Sequence, residues 1–406
     1  MKILVYEHVS GGGFAGTNIP ADILCEGFAM LKTLIHGLKV AGHSITTLLD
    51  ARIMALNPPI EADSITRISS PGEAEEEVWS LLGIVDAAYI IAPESDGTLV
   101  ELVSLVEKSG RASLNCSSEA IKRASNKAEA CRELKRRGLP IPETVEANVK
   151  QGISEIRSKV KDIGVPVVFK PINGVGCAGL SLVRSLNQIP RAVERIKHES
   201  SEERFLIQKY IRGTSASVSL IASGQRAVPI TLNRQRTKLA APNGRSAYLG
   251  GSTPMIHTQG EQAVKMARRA VECFEGLRGY VGVDLVLTGD KAIILEVNPR
   301  LTTSFIGIEK IINFNLAQAI IDAVLLGRLP EKIQTLGFAA FQKVETPIPK
   351  QEKLRSLYRL GFVASPTFPI SQNDKAYALI EAHAATLKAA MSKFYRVKRL
   401  LLKMAS

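Results

Sequence analysis

The clearest pattern in the chain is a pair of apolar runs, residues 279–287 and 293–298, each interrupted by an acid. Between them, Thr288-Gly-Asp-Lys291 is a short polar segment of the kind that joins two strands in a tight turn. The pattern therefore predicts a hairpin of buried strands. Asp284 lies in the first predicted strand and Glu296 in the second.

The first part of the chain alternates apolar strands with segments of helical periodicity. Residues 2–6 form a predicted strand, a glycine-rich turn follows, and apolar residues then recur at helical spacing from Ala21 to Ala41. Further apolar strands are predicted at residues 87–92 and 111–114. Because this alternation is typical of an open parallel sheet, we expect an α/β domain over residues 1–118.

A glycine-rich segment, Gly174-Val-Gly176-Cys-Ala-Gly179, lies between two predicted strands. A dinucleotide-binding loop of the form G-x-G-x-x-G opens a helix, whereas this segment leads into the strand-like residues 180–183. The pattern favours a hairpin flap that covers the phosphates of ATP, and a plain hairpin turn is the alternative. Lys127 and Lys170, which flank the segment, support the flap because they supply positive charge for phosphate oxygens.

In the rest of the chain, the sequence pattern predicts a second domain over residues 119–328 and a basic extension over residues 329–406. An antiparallel strand pair is predicted at 216–222 and 227–232, and a helix is predicted over 375–405. The expected fold class is α/β, with α+β character in the second domain.

Composition narrows the class of protein. The chain has 406 residues, 45% of them hydrophobic, which is typical of a soluble globular protein with more than one core. Without an apolar run long enough to cross a bilayer, we expect a cytoplasmic protein that contacts no membrane. The five scattered cysteines favour reduced thiols over disulfides or a zinc site.

The net charge of +13 suits a polyanionic substrate such as a nucleotide, but also nucleic acid. Much of the excess lies near the C-terminus, where we favour a solvated helix face over a contact with RNA or a membrane. Since only 5% of the residues are aromatic, base stacking is not expected, and we predict no nucleic-acid partner.

The predicted hairpin carries the ligands of a metal site. Glu296 and Asn298 are two residues apart on a strand, so their side chains point to the same face, and Asp284 lies in the partner strand. Such oxygen donors suit an octahedral Mg²⁺. Arg300 follows two residues later and suits the charge that develops during phosphoryl transfer. The alternative is a hairpin with solvent-facing acids.

Other residues are candidates for binding substrates. In the segment Gln208-Lys209-Tyr210-Ile211, the backbone is expected to bind an adenine edge, while Tyr210 and Ile211 line an apolar slot. The basic cluster around Arg234 follows a predicted strand and suits an acidic substrate or the γ-phosphate, against the alternative of a solvated loop. Glu94 closes another strand, where it either neighbours a helix N-cap or binds a substrate amine.

The order and spacing of these features resemble the pattern of the ATP-grasp superfamily. The features are Lys127, Lys170, the flap, the 208–211 segment and the hairpin. More narrowly, Leu232-Asn-Arg-Gln235, residues 276–285 and Glu296-Val-Asn-Pro-Arg-Leu-Thr-Thr303 are similar to the tyramine–L-glutamate ligases of methanofuran-type cofactor biosynthesis. The resemblance assigns Arg300 and Lys170 to catalysis, and Asp284, Glu296 and Asn298 to the metal. It assigns Glu94, Arg234 and Thr302 to substrate binding, and to ATP binding it assigns Lys127, Lys170, Gly174, Gly176, Gly179, Gln208, Lys209, Tyr210, Ile211 and Ser215.

The resemblance implies a ligase that uses ATP with Mg²⁺, or with Mn²⁺, to phosphorylate the γ-carboxylate of glutamate, which the amine of tyramine then attacks. A ligase for another acid and amine is the alternative. Two features depart from the family. Thr214 and Ser215 stand where many relatives have an acid for the ribose, and the residues from about 330 onward are an addition whose role, as an oligomer contact, a lid or a docking site, stays open.

Overall fold

The computed structural model of the protein describes residues 1–174, 177–370 and 376–405. Within these ranges, the strands form a parallel sheet of five strands, an antiparallel sheet of four and an antiparallel sheet of eight. They are called here the first sheet, the lid sheet and the central sheet. The predicted mixed α/β class is confirmed.

The first sheet has the strand order β3-β2-β1-β4-β5. Ile3 and Val5 of β1 pack against Phe28 in the long helix α1, which explains its apolar periodicity. Because the carboxyl ends of parallel strands meet at one edge, Glu7 and the segment that carries Glu94 lie at the same edge. The elements are β1 (Lys2–Glu7), α1 (Ala21–Val40), β2 (Ser44–Asp50), α2 (Ala51–Met54), β3 (Ser64–Ile68), α3 (Glu73–Leu82), β4 (Ala87–Ile91), α4 (Thr98–Lys108) and β5 (Ala112–Ser113).

The lid sheet has the order β6-β9-β7-β8 and a core of its own, in which the rings of Phe169 and Phe205 lie 5.2 Å apart. Two helices lead into it, and the second begins at Lys127, where Asn126 caps its first amides. The elements are α5 (Ser118–Ser125), α6 (Lys127–Arg136), β6 (Thr144–Asn148), α7 (Ile153–Ile163), β7 (Val167–Pro171), β8 (Ser181–Val183), α8 (Ile189–Glu199) and β9 (Arg204–Lys209).

The glycine-rich segment joins β7 to β8, which pair antiparallel with Val167 opposite Val183. The predicted order of strand, glycine loop and strand is therefore confirmed. Gly176 itself lies outside the described residues.

The central sheet has the order β14-β13-β10-β11-β12-β15-β17-β16 and carries the predicted hairpin at one edge. Helix α9 covers one face with small residues such as Ala263 and Ala267, while α10 and α11 pack on the other face together with α1. The elements are β10 (Thr214–Gly224), β11 (Ala227–Lys238), β12 (Ala247–Thr253), α9 (Gly260–Glu272), β13 (Leu277–Leu287), β14 (Ala292–Asn298), α10 (Ser304–Glu309), α11 (Leu316–Leu326), β15 (Phe338–Thr346), α12 (Gln351–Tyr358), β16 (Val363–Ser365), β17 (Ala376–Ala384) and α13 (Leu387–Ala405).

The residues after 329 extend the central sheet, because β15 pairs with β12 and with β17. Helix α13 packs Phe394, Val397 and Leu401 onto these strands. The prediction of a helix from residue 375 was wrong for residues 376–384, which form β17. Their alanines favour a helix in isolation, but pairing with β15 over nine residues and burial of the strand outweigh that preference.

Among the helices in the described part of the chain, none combines the length and the apolar character that a membrane span requires.

Candidate active site

The hairpin of β13 and β14 places the predicted metal ligands side by side. Asp284 lies directly opposite Glu296, and Gly282 lies opposite Asn298. Paired residues of antiparallel strands share a face, so the three side chains converge, and each of the two carboxyl groups shifts the pKa of the other. The predicted hairpin and its turn are confirmed, since the amide of Thr288 donates to the carbonyl of Lys291 at 2.8 Å.

A neighbouring strand fixes the orientation of Asp284. The amide nitrogen Nε2 of Gln235 in β11 donates to Oδ1 of Asp284 at 2.8 Å. The side chain of Asn298 acts together with Gln235 to lower the pKa of this carboxyl group. Gln235 was not predicted as a site residue. The signal for it is the alternation of Asn233, Gln235 and Thr237, polar residues on one face of a strand.

The two carboxyl groups differ in their electrostatic surroundings. Burial and the charge of Glu296 raise the pKa of Asp284 well above its usual range. Burial acts in the same direction on Glu296, but the positive charges of Lys127 and Lys170 outweigh it and lower the pKa of that group. The face therefore holds one firmly ionised carboxylate beside a second that resists ionisation while no further positive charge is near.

These charges suit a divalent cation. Two opposed carboxyl groups and an amide are hard oxygen donors, and a cation between them would remove the repulsion that raises the pKa of Asp284. In the described ranges, no three residues among His, Cys, Asp and Glu are grouped in a metal-binding arrangement, so a cation at this hairpin would depend on Asn298 and on oxygens of a substrate or water.

Both predicted lysines lie beside the hairpin. Lys170 is buried at the end of β7, and its Nζ lies 3.4 Å from the carbonyl oxygen of Leu295, next to Glu296. Burial lowers the pKa of Lys170, while the charge of Glu296 opposes this shift. Nζ of Lys127 donates to the carbonyl of Gly174 at 2.9 Å and so connects α6 to the flap.

The flap is held at its base. The amide of Gly179 donates to Oε2 of Glu199 at 2.8 Å, so this amide already has an acceptor. The φ of Gly179 is +68°, and a Cβ there would lie 2.7 Å from Cγ of Pro171. Only glycine fits this close turn.

The segment 208–211 begins with the last two residues of β9 and leads from the lid sheet toward β10 of the central sheet. Gln208 is buried and donates from Nε2 to Oγ1 of Thr144 at 3.0 Å. The amides of Lys209 and Tyr210 donate to the carbonyls of Glu143 and Pro166 at 2.8 and 3.1 Å. These two amides are therefore occupied within the protein. The Lys209 side chain binds the carbonyls of residues 163 and 164 at the end of α7.

Glu94 and Arg300 meet across the first and central sheets. Nε of Arg300 lies 3.4 Å from Oε2 of Glu94, which is long for a hydrogen bond, and the Glu94 side chain is only 7% exposed. Burial alone would lower the pKa of Arg300, but Glu94 and Glu296 raise it and keep the guanidinium charged. The other carboxylate oxygen of Glu94, Oε1, is buried and has no hydrogen-bond partner among the residues that the structure describes.

Thr302 belongs to a cluster of hydroxyl groups on the same face of the central sheet as Asp284 and Asn298. Its Oγ1 lies 2.9 Å from the Tyr280 hydroxyl and 2.8 Å from Oγ of Ser304, and the Tyr280 hydroxyl donates to Oγ of Ser219 at 2.7 Å. Gly282 allows this approach, since a Cβ there would lie 2.6 Å from Cγ2 of Thr302. The cluster fixes the loop that carries Arg300.

Two further predicted residues, Arg234 and Ser215, lie on opposite faces of the central sheet. Strand β11 continues to Lys238, so Arg234 lies within a strand rather than in a loop beyond it, and it points away from the face that carries Gln235 and Asp284. There it lines a cavity of about 240 Å³ with Arg236 and Tyr395. Ser215 lies on the face of β10 that also carries Ser217, the partner of Asp284, and its Oγ is 3.1 Å from Oγ1 of Thr237.

Known proteins match these features. A model of the ATP-grasp domain matches residues 124–304, and a model of the pre ATP-grasp 3 domain matches residues 43–121. The tyramine–L-glutamate ligase of Methanocaldococcus jannaschii is 30% identical over 321 residues, which are 79% of this chain and 88% of that ligase.

Solved structures share the fold at lower identity. An ATP-grasp superfamily protein of Archaeoglobus fulgidus is 23% identical, with a TM-score of 0.62 over 94% of this chain and 99% of that one. The biotin carboxylase domain of the Hydrogenobacter thermophilus 2-oxoglutarate carboxylase, solved with MgADP and bicarbonate, is 15% identical, with a TM-score of 0.70 over 97% of this chain and 88% of that one. The predicted ATP-grasp fold is thereby confirmed.

The extent of the match to the M. jannaschii enzyme goes beyond a shared fold, because it covers most of both chains. From this relationship and the matching domain models, we conclude that the chain belongs to the ATP-grasp family and is an ATP-dependent ligase.

Proposed function

We propose that the protein joins the γ-carboxylate of L-glutamate to the amine of tyramine through an acyl phosphate. An oxygen of the γ-carboxylate attacks the γ-phosphorus of ATP and ADP leaves. The amine nitrogen then attacks the acyl carbon, phosphate leaves with the bonding electron pair, and the nitrogen loses a proton. The relatives named tyramine–L-glutamate ligase support the choice of substrates.

The observation that carries the proposal is the Glu94–Arg300 pair beside the hairpin of β13 and β14, named the metal hairpin for the ligands proposed on it. Arg300 is kept charged where a transferring phosphoryl group needs neutralisation. Oε1 of Glu94, the buried oxygen without a partner in the described structure, is placed to accept a hydrogen bond from an amine. Together they would bring a nucleophilic amine to the acyl phosphate.

The other residues have supporting roles in this reaction. Asp284, Glu296 and Asn298 would hold Mg²⁺, or Mn²⁺, which supplies charge neutralisation at the phosphate oxygens when bound. Lys127 and Lys170 add fixed positive charge next to Glu296. The flap would exclude water that otherwise hydrolyses the acyl phosphate.

The test follows ADP release by the purified protein with ATP, Mg²⁺, glutamate and tyramine, with mass spectrometry to identify γ-glutamyltyramine. With glutamate alone, hydroxylamine should trap the acyl phosphate as a hydroxamate. Parallel reactions with other amino acids and amines identify the preferred pair. If tyramine and glutamate together do not stimulate ADP release while another pair does, the chosen substrates are wrong.

A further inference from the structure

Besides the Glu94–Arg300 pair, an ion pair between Glu26 and Lys343 brings together three segments that are distant in the sequence. Nζ of Lys343 in β15 lies 2.7 Å from Oε1 of Glu26 in α1, and Oγ1 of Thr303, in the loop after β14, donates to Oε2 of Glu26 at 3.3 Å. Nζ also donates to the carbonyl of Asp22 at 3.2 Å. Helix α1, the loop after β14 and the C-terminal extension each contribute to this arrangement.

The pair faces the same side of the central sheet as the metal ligands. Gln235, which binds Asp284, pairs with Gly251, and Gly251 pairs with Phe341. Paired residues share a face, and so do residues two apart on a strand. Lys343 follows Phe341 by two positions and therefore lies on the face that carries Asp284.

The Glu26–Lys343 pair also lies close to the loop that carries Arg300 and to the flap. Thr303, which contacts Glu26, follows Arg300 by only three residues. Burial raises the pKa of the Cys177 thiol in the flap to about 11, and the charges of Glu296, Glu26 and Lys343 also act on it. Burial also raises the pKa of Tyr248, and the charges of Glu26 and Asp284 raise this pKa further. The flap residue Cys177 thus lies within electrostatic reach of both charged centres.

The chemistry of the pair fits one of the two substrates. The side chains of Glu26 and Lys343 are 22% and 18% exposed, so each retains surface for a ligand. A carboxylate beside an ammonium group complements a zwitterion. In the proposed reaction, both substrates must place their reacting group near the hairpin. Only the amino acid carries charges at its opposite end, whereas tyramine ends in a neutral phenol.

We infer that Glu26 and Lys343 form the subsite for the α-ammonium and α-carboxylate groups of the amino-acid substrate. Glu26 binds the ammonium and Lys343 binds the carboxylate, while Glu94 remains for the amine that attacks. The C-terminal extension thereby supplies a specificity residue. This inference rests on the proposed function, because it assumes an α-amino acid that reacts through its side-chain carboxylate.

The first test compares Lys343→Met and Glu26→Gln with the wild type. The KM for glutamate should rise about tenfold or more, because a charge-assisted contact is lost, while the KM values for ATP and tyramine stay within about twofold. Lys343→Arg should recover part of the affinity. Lys388→Met, which removes an exposed lysine of α13, serves as the control and should leave all three KM values unchanged.

A charge swap separates binding from a structural role. The double variant Glu26→Lys with Lys343→Glu retains an ion pair between α1 and β15 but reverses its polarity toward a ligand. If the pair only joins the domains, the swap restores the KM for glutamate and the inference is overturned. If the pair binds the zwitterion, the melting temperature recovers and the KM for glutamate does not.

Two further outcomes bear on the inference. If Glu94→Gln raises the KM for glutamate while Lys343→Met does not, the zwitterion binds at Glu94 and Arg300 instead, and the inference is wrong. If the wild type does not turn over glutamate and tyramine but accepts another amino acid, only the proposed substrates fail. The same variants are then measured with that amino acid, and a selective rise in its KM supports the subsite.

Discussion

Single residues at the hairpin carry distinct chemical tasks. Glu296 is the carboxyl group that stays ionised, because two lysines lie beside it. We expect Glu296→Gln to lower the rate of ADP release by at least about 100-fold, since the proposed metal site would lose its ionised ligand. Circular dichroism and the melting temperature should show an intact fold. Near-normal turnover in a folded variant would refute the metal assignment.

Arg300 is expected to act on the transition state rather than on nucleotide binding. Arg300→Ala should lower kcat by about 100-fold or more and leave the KM for ATP within about threefold, because the guanidinium neutralises the transferring phosphoryl group. Steady-state kinetics with varied ATP measures both constants. A variant that mainly raises the KM for ATP would place Arg300 in ground-state binding instead.

The burial of Glu309 in α10 predicts that the stability of the protein depends on pH. Burial raises its pKa to about 7, and its Oε2 has no hydrogen-bond partner within the described ranges. The pKa of Glu309 is higher in the folded than in the unfolded protein. Its protonated form therefore contributes fully to the free energy of unfolding below about pH 4.5, and this contribution is lost as the pH rises through about 7. The loss in the free energy of unfolding is at most about 3 kcal/mol.

The check is urea unfolding of the wild type and Glu309→Gln at pH 5 and pH 8. The wild type should lose more stability between these values than the variant, which cannot ionise at this position. Equal losses in the two proteins would show that Glu309 titrates normally.

At the scale of elements, the hairpin of β13 and β14 depends on close contact with the loop that follows it. A methyl group at position 282 would lie 2.6 Å from Thr302, so Gly282→Ala should displace the loop and Arg300 with it. We expect a destabilisation of about 1 to 3 kcal/mol and a lower kcat. Gly289→Ala, in the open turn of the same hairpin, is the matched control and should have little effect on either quantity.

An element could be predicted where residues close together in the sequence determine it, and not where a distant strand does. The hairpin was evident because acids interrupt apolar strands on both sides of a polar turn. Strand β17 was missed because its alanine-rich sequence has no local sign of its pairing with β15, some 40 residues earlier in the chain. Likewise, nothing in the sequence near Glu26 indicates Lys343, which lies 317 positions away. Contacts of this kind arise only from the tertiary fold.

At the scale of the whole molecule, the C-terminal extension is part of the core. Phe368 packs against Phe28 of α1 with ring centroids 5.0 Å apart, and Phe341 belongs to the same apolar cluster. We therefore expect a truncated chain of residues 1–328 to be unstable, because it exposes that cluster and the edge of β12. Soluble yield and hydrogen exchange would measure this. A stable, active truncated protein would contradict both this prediction and the role of Lys343.

The placement of β15 next to β12 also affects how the chain is made. During synthesis, residues 1–328 leave the ribosome before the strands that complete the sheet exist. The ring of Phe28 in α1 lacks its partner Phe368 for more than three hundred residues of translation, and the edge of β12 stays unpaired until β15 is made. Until β15 and β17 have been synthesised, the unpaired edge of β12 can therefore pair with another chain, and the nascent protein is open to aggregation over this interval.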